Sequence, residues 1–186
     1  NKLSLFPKHC QIPFDFEVYR EKKFIEFYSE FLKKVNRGDF FNLTQQPNYL
    51  GRYNPRLNTE NDGLINWDLE SYDLINFINA FDRPYKGAST YLNSGNYGKL
   101  YLKKTHLHGG DSSNHPFMSG IVSRHDTDWI VVSTKSKHML LVEEILNQKG
   151  ENIIEKIKVG DRFFTPLAEL NNSKKNRVVY NAKGLK

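Results

Sequence analysis

The chain has one cysteine, Cys10, in 186 residues. No disulfide can form within it, and a reducing compartment is the natural setting. No apolar run approaches the roughly 18 residues of a membrane-spanning helix, and no signal peptide opens the chain. A cytoplasmic protein with no membrane association is therefore expected. An initiator methionine is missing too: the first residue is Asn1, which leads us to expect a segment of something longer. Neither an internal repeat nor a low-complexity tract is present, so solenoids and fibrous classes are excluded.

What is present is ring-rich and basic. Apolar residues make up 38% and aromatic residues 13%, enough for one good core or one core with a small satellite domain. The formal charge of +6 gathers at Lys22-Lys23, Lys33-Lys34, Lys103-Lys104 and the tail Lys174-Lys175-Asn176-Arg177. Such an excess favours acidic partners, nucleic acid or nucleotide-linked substrates. A soluble face scattered with lysine accounts for each cluster taken singly.

Phe24, Phe27, Tyr28, Phe31, Leu32 and Val35 recur at spacings of three and four, predicting a helix over residues 17–36 with one apolar stripe. Asn36-Arg37-Gly38 supplies its stop. We read the stripe as core packing. Residues 38–66 read as an extended connector rich in Asn, Gln and Pro. Asp62-Gly63 reads as a turn with a positive-φ position, after which Leu64, Ile65 and Trp67 return to the core. A second helix is expected over 69–82, capped by Asp68 or Ser71, with Tyr72, Ile75, Ile78 and Phe81 on one side; Pro84 and Gly87 end it. Strands are expected at Tyr97–Leu107, Gly120–Arg124, Trp129–Thr134, Met139–Ile145 and Ile153–Phe164. Several short strands at this spacing suggest a small barrel or curled sheet.

The order of turn, tryptophan, helix and Pro84-Tyr85-Lys86-Gly87-Ala88 resembles the folate-dependent formyltransferases. That family includes methionyl-tRNA formyltransferase and the N-formyltransferases of nucleotide-linked amino sugars. Gln45 or Gln46 and Tyr53–Arg56 are similar to its segment ahead of the Asp-Gly turn. Ile65-Asn66-Trp67 stands for its Ile-Asp-Trp, and Lys86 for a proline. Asn79, in Phe77-Ile78-Asn79-Ala80-Phe81, stands where the family has an arginine. Ser119-Gly120-Ile121-Val122 and Gly160-Asp161-Arg162-Phe163 resemble its C-terminal barrel-like domain.

The resemblance implies an α+β chain. Residues 1–92 would finish a formyltransferase α/β domain, 93–170 would form a small antiparallel β-barrel-like (OB-like) domain, and 171–186 a basic tail. It also implies formyl transfer from 10-formyltetrahydrofolate to an amine. The family's catalytic Asn-x-His and Asp precede this region. No Asn-x-His occurs here, since Asn114 and His115 are adjacent, and no Gly-rich strand-to-helix turn is present to hold a cofactor. We therefore expect no catalytic residue in this segment, no activity from it alone, and 10-formyltetrahydrofolate bound mainly by a preceding part.

Candidate substrate contacts are Arg52, Tyr53, Arg56, Trp67 and Tyr85. Guanidinium forks grip phosphate oxygens; packing over a ring, or pairing with Glu60 or Asp62, is the alternative for the first three. Trp67 and Tyr85 stack on a ligand or anchor the helix. His106 and His108 share a strand face, but three or four ligands make a zinc site and no cysteine joins them, so no metal is expected. The acceptor expected is an amino sugar on a nucleotide carrier. The alternative is a tRNA-binding module using Tyr97, Tyr101, Phe117 and Trp129. A homodimer stays open.

Overall fold

Leu100, Tyr101 and Leu102 are all buried, after which Thr105 points in while Lys104, His106 and His108 point out. This alternation makes residues Leu100–Gly109 the central strand of a curled sheet. A computed structural model describes residues 5–42, 44–45, 57–110 and 112–175, with the backbone of 180–181 and 184–185. Its elements are α1 (Pro13–Asn36), α2 (Thr59–Asp62), α3 (Ser71–Ala80), β1 (Ala88–Leu92), β2 (Leu100–Gly109), β3 (Val122–His125), β4 (Ile130–Val132), β5 (His138–Leu146), β6 (Phe163–Phe164), α4 (Leu167–Ser173) and a hairpin of β7 (Tyr180–Asn181) and β8 (Gly184–Leu185).

The sheet is antiparallel, in the order β3-β4-β5-β2-β1-β6. The longest pairing joins β2 to β5, from Tyr101 opposite Leu146 to Gly109 opposite His138. Its two edges also meet. Ile121 bridges Arg162, Val122 donates its N–H to the Asp161 carbonyl, and Phe163 donates to Gly120. The segment before β3 thus bonds to the segment running into β6, and the curl closes on itself, which removes the open edges a flat sheet would expose. The expected strand over 153–164 is mostly replaced by a 3-10 turn at Ile154–Lys156 and a two-residue β6. Ile153, Ile154 and Ile157 are buried there, so the apolar spacing served a packed turn.

α3 lies against the sheet through Leu74, Ile75 and Ile78, followed by buried Phe81. Tyr72, expected on the same side, is exposed, and Leu74 takes the inward place. One core runs from Ile65, Trp67 and α3 through Leu100, Leu102, Leu140 and Val142 to Phe163. The division expected at residues 92/93 falls at the end of β1, and this core is continuous across it. α4 is tied down by the Tyr91 hydroxyl, which donates to Glu169 at 2.9 Å. Burial and that carboxylate push the Tyr91 phenol up to about 12.

α1 begins four residues before the expected start, because Pro13 suits a first helical position and the Asp15 carboxylate accepts the N–H groups of Gln11 and Ile12. Its end follows expectation, with Lys33 and Lys34 in the last turn and Gly38 at φ +76°. The reading of its stripe as core does not hold: α1 buries no residue, and Phe24, Phe27 and Phe31 are 62%, 52% and 40% exposed. Helical spacing creates an apolar face, but no helix or strand among the described residues buries it. Phe24 stacks on Tyr28, and Phe31 packs on Phe41, so the rings cover one another instead.

Candidate functional site

The segment around α2 and the turn into β1 is where the sequence motif becomes geometry. Asn58 caps α2 by accepting from the N–H groups of Glu60 and Asn61 at 2.9 and 3.3 Å, and Asp62 returns a bond by accepting from the Asn58 N–H at 2.7 Å. Gly63 follows at φ −83°, ψ 16°. The positive φ expected there is absent. Glycine is required for close approach, since a Cβ would stand 2.5 Å from the Thr59 carbonyl oxygen. The chain then bridges Ser89 of β1 through Leu64, with Ile65 donating to the Ser89 carbonyl at 2.8 Å.

Glu60 reaches across to β2. The buried Tyr101 hydroxyl donates to its carboxylate at 3.0 Å, and Lys86 donates to the same hydroxyl at 3.1 Å with its ammonium 4.3 Å from the ring centre. Burial raises the Tyr101 phenol, Glu60 adds to this and Lys86 opposes it. Lys86 is raised too, first by its bond to Tyr101. These three groups bond to one another and tie the α2 turn to β2. They do not form a set that fits the formyl group of a folate, so no catalytic step is assigned to them.

Of the sequence-derived site residues, Arg52, Tyr53 and Arg56 lie outside the described residues, as does Gln46. Trp67 is an anchor: its indole N–H donates to Thr90 Oγ1 at 2.9 Å, its ring stacks on Phe163 at 5.8 Å, and Ser119 donates to its carbonyl. Tyr85 sits at the surface, and its carbonyl accepts from Lys103 at 3.0 Å. No hydrogen bond or ring contact joins Trp67 to Tyr85.

Two features escaped the sequence reading. Asp82 is 1% exposed, and its carboxylate accepts from the N–H of Arg83 and, at 2.7 Å, from that of Lys104. Lys104 adopts φ +50°, a left-handed conformation for a non-glycine residue, and this turns its N–H to Asp82. Nothing in a lysine signals that dihedral. The second is a pair of joined clefts, 240 and 480 Å³, between residues 9–16 and the α3/β2 surface. Gln11, Asn79 and His106 line both. Asn79, at the position where the resemblance places an arginine, is buried and accepts from Thr105 Oγ1 at 3.1 Å. That substitution was the available signal.

Among the described residues no three His, Cys, Asp or Glu side chains are placed to hold a metal ion. His106 stands 3.6 Å from Glu143 on the exposed outer face. Tyr101, offered as a stacking ring, is buried, whereas Arg162 covers Phe117 at 4.4 Å and Arg124 covers Trp129 at 4.6 Å. No helix among the described residues is long and apolar enough to cross a membrane.

Residues 58–157 match the family described as formyl transferase, C-terminal domain. No curated protein matches. Among solved structures, one variant of HypX from Aquifex aeolicus superposes with a TM-score of 0.50 at 16% identity, over 84% of this chain and 24% of that one. A second HypX variant gives 0.48 at 18% identity, over 82% and 24%. The first shares the fold, and this chain spans about a quarter of the length of either. With the matched region running from the α2 cap through β5 to the 3-10 turn after it, more than half of the sequence, the chain belongs to the formyl transferase C-terminal domain family.

Proposed function

We propose that this chain is the C-terminal part of an enzyme moving a formyl group from 10-formyltetrahydrofolate to an amine, and that it is inactive alone. The observation that carries this reading is the family match over residues 58–157 in a sequence without Asn-x-His. Attack of an amine on a formyl carbon develops an oxyanion and releases a proton, so preorganised donors and a positioned base are both needed. In this reading a preceding half supplies them and binds the folate, while this chain forms the flank of the pocket. The α1 face that no described helix or strand buries supports it, because apolar surface of this kind marks an interaction site.

The acceptor we favour is an amino sugar on a nucleotide carrier in the cytoplasm, with Arg52 and Arg56 gripping its phosphates. Replacing both with alanine in the longer enzyme should raise the acceptor KM with kcat little changed, and an unchanged KM removes them from the site. A tRNA acceptor is the second reading, favoured by the two surface rings under Arg124 and Arg162. It requires tRNA affinity that falls steeply with salt. The test of the main reading is formyl-folate turnover with and without the preceding half.

A further inference from the structure

The larger of the two joined clefts is built from neutral hydrogen-bonding groups on an apolar frame. Asn76 and Asn79 stand three residues apart on α3, Gln11 comes from the segment ahead of α1, and all three residues line the cleft. Asn79 is 5% exposed and locked: one end of its amide bonds to Thr105, and the other makes no hydrogen bond among the described residues. The residue is buried but this nitrogen is not fully closed off, so it is a donor left open to water or a ligand in the adjoining cleft. Phe16, steadied by an edge contact to Phe6 at 4.9 Å, and Tyr72, in ring contact with His138 at 5.0 Å, add aromatic rings to the lining.

Carboxamides present a donor beside an acceptor, the pattern that pairs with the N6/N7 edge of adenine. Aromatic faces stack on any nucleobase. A volume of 480 Å³ lies within the range of small-molecule sites. The smaller cleft beyond it sets Asp15, Asp82 and Glu143 beside Arg83 and Lys104, so it offers no excess of positive charge to phosphates. We propose that the larger cleft binds an adenine-type purine base, recognised through Asn76, Asn79 and Gln11, with any attached phosphates left in solvent. The inference stands on this cleft and not on formyl transfer, so either reading can fail without the other.

Adenosine titrated into the 186-residue chain by calorimetry should bind saturably in the millimolar range or tighter, and ATP should bind no tighter than adenosine. Asn79→Arg fills the cleft and should abolish binding. Gln11→Ala and Asn76→Ala, both at exposed positions, should each weaken it about tenfold without changing the melting temperature. They serve as the test if Asn79→Arg does not fold. Absence of saturable adenosine binding, tighter ATP binding that salt abolishes, or unchanged affinity in Gln11→Ala and Asn76→Ala would each overturn the assignment.

Discussion

Replacing Gly63 with alanine puts a methyl group 2.5 Å from the Thr59 carbonyl oxygen and 3.3 Å from Phe81 Cδ1. The first distance is roughly 1 Å inside ordinary carbon contact. Neither neighbour is the free end of a flexible chain, because the carbonyl closes the α2 turn by accepting the Gly63 N–H at 3.1 Å and Phe81 is core. Overpacking of this kind costs about 1–3 kcal/mol. The dihedral φ −83° is open to alanine, and the stiffer unfolded chain returns about 0.4–1 kcal/mol. A net loss of about 0.5–2 kcal/mol should lower the melting temperature by roughly 1–8 °C in a chain of this size. Circular dichroism on Gly63→Ala and Gly63→Asn reads it. A positive-φ glycine tolerates asparagine better than alanine, whereas crowding makes asparagine at least as damaging. An unchanged or higher melting temperature for alanine, or asparagine clearly the milder change, refutes the crowding argument.

Trp67→Phe should cost about 1 kcal/mol through the lost bond to Thr90, and a double-mutant cycle with Thr90→Val should show that the two losses are not additive. Ultraviolet titration should show a tyrosine ionisation near pH 12 that Tyr91→Phe removes, with Tyr101 also raised above the ordinary phenol. Because the folded pKa of Tyr91 lies above the unfolded value, its contribution to stability is present below about pH 10 and is lost as pH rises through about 12. Phe27→Ser with Phe31→Ser should leave the melting temperature of this chain within about 2 °C, since both rings are exposed and neither belongs to the core, yet should destabilise a longer protein that covers α1. A large loss in the isolated chain would mean the face is already packed.

The strands around β2 and β5 were legible because inward Leu, Val and Ile alternate with charged or His residues, and the turns between them carry glycine or aspartate. Trp67 and Ile65 were legible as returns to the core. The closure through residues 120–122 and 160–163 was not, since two short segments some forty residues apart carry no pairing signal of their own. Gly63 was misread because a glycine after aspartate looks alike whether it serves dihedral freedom or close contact. The α1 stripe showed its period but not its partner: spacing tells which face is apolar and not what covers it. The buried Asp82 was invisible because its partners are backbone N–H groups. Of the candidate site, the α2 turn was read from its motif. The clefts around Asn79 needed the fold, because Gln11 and α3 are more than sixty residues apart in sequence.

The central claim is that the reactive groups for formyl transfer belong to a half preceding this chain. Its most direct measurement is 10-formyltetrahydrofolate turnover on an amine acceptor by the purified 186 residues, beside the same residues joined to an upstream α/β half of about 120 residues bearing Asn-x-His and Asp. The account predicts turnover only in the joined protein, and robust formyl transfer by the 186 residues alone would contradict it.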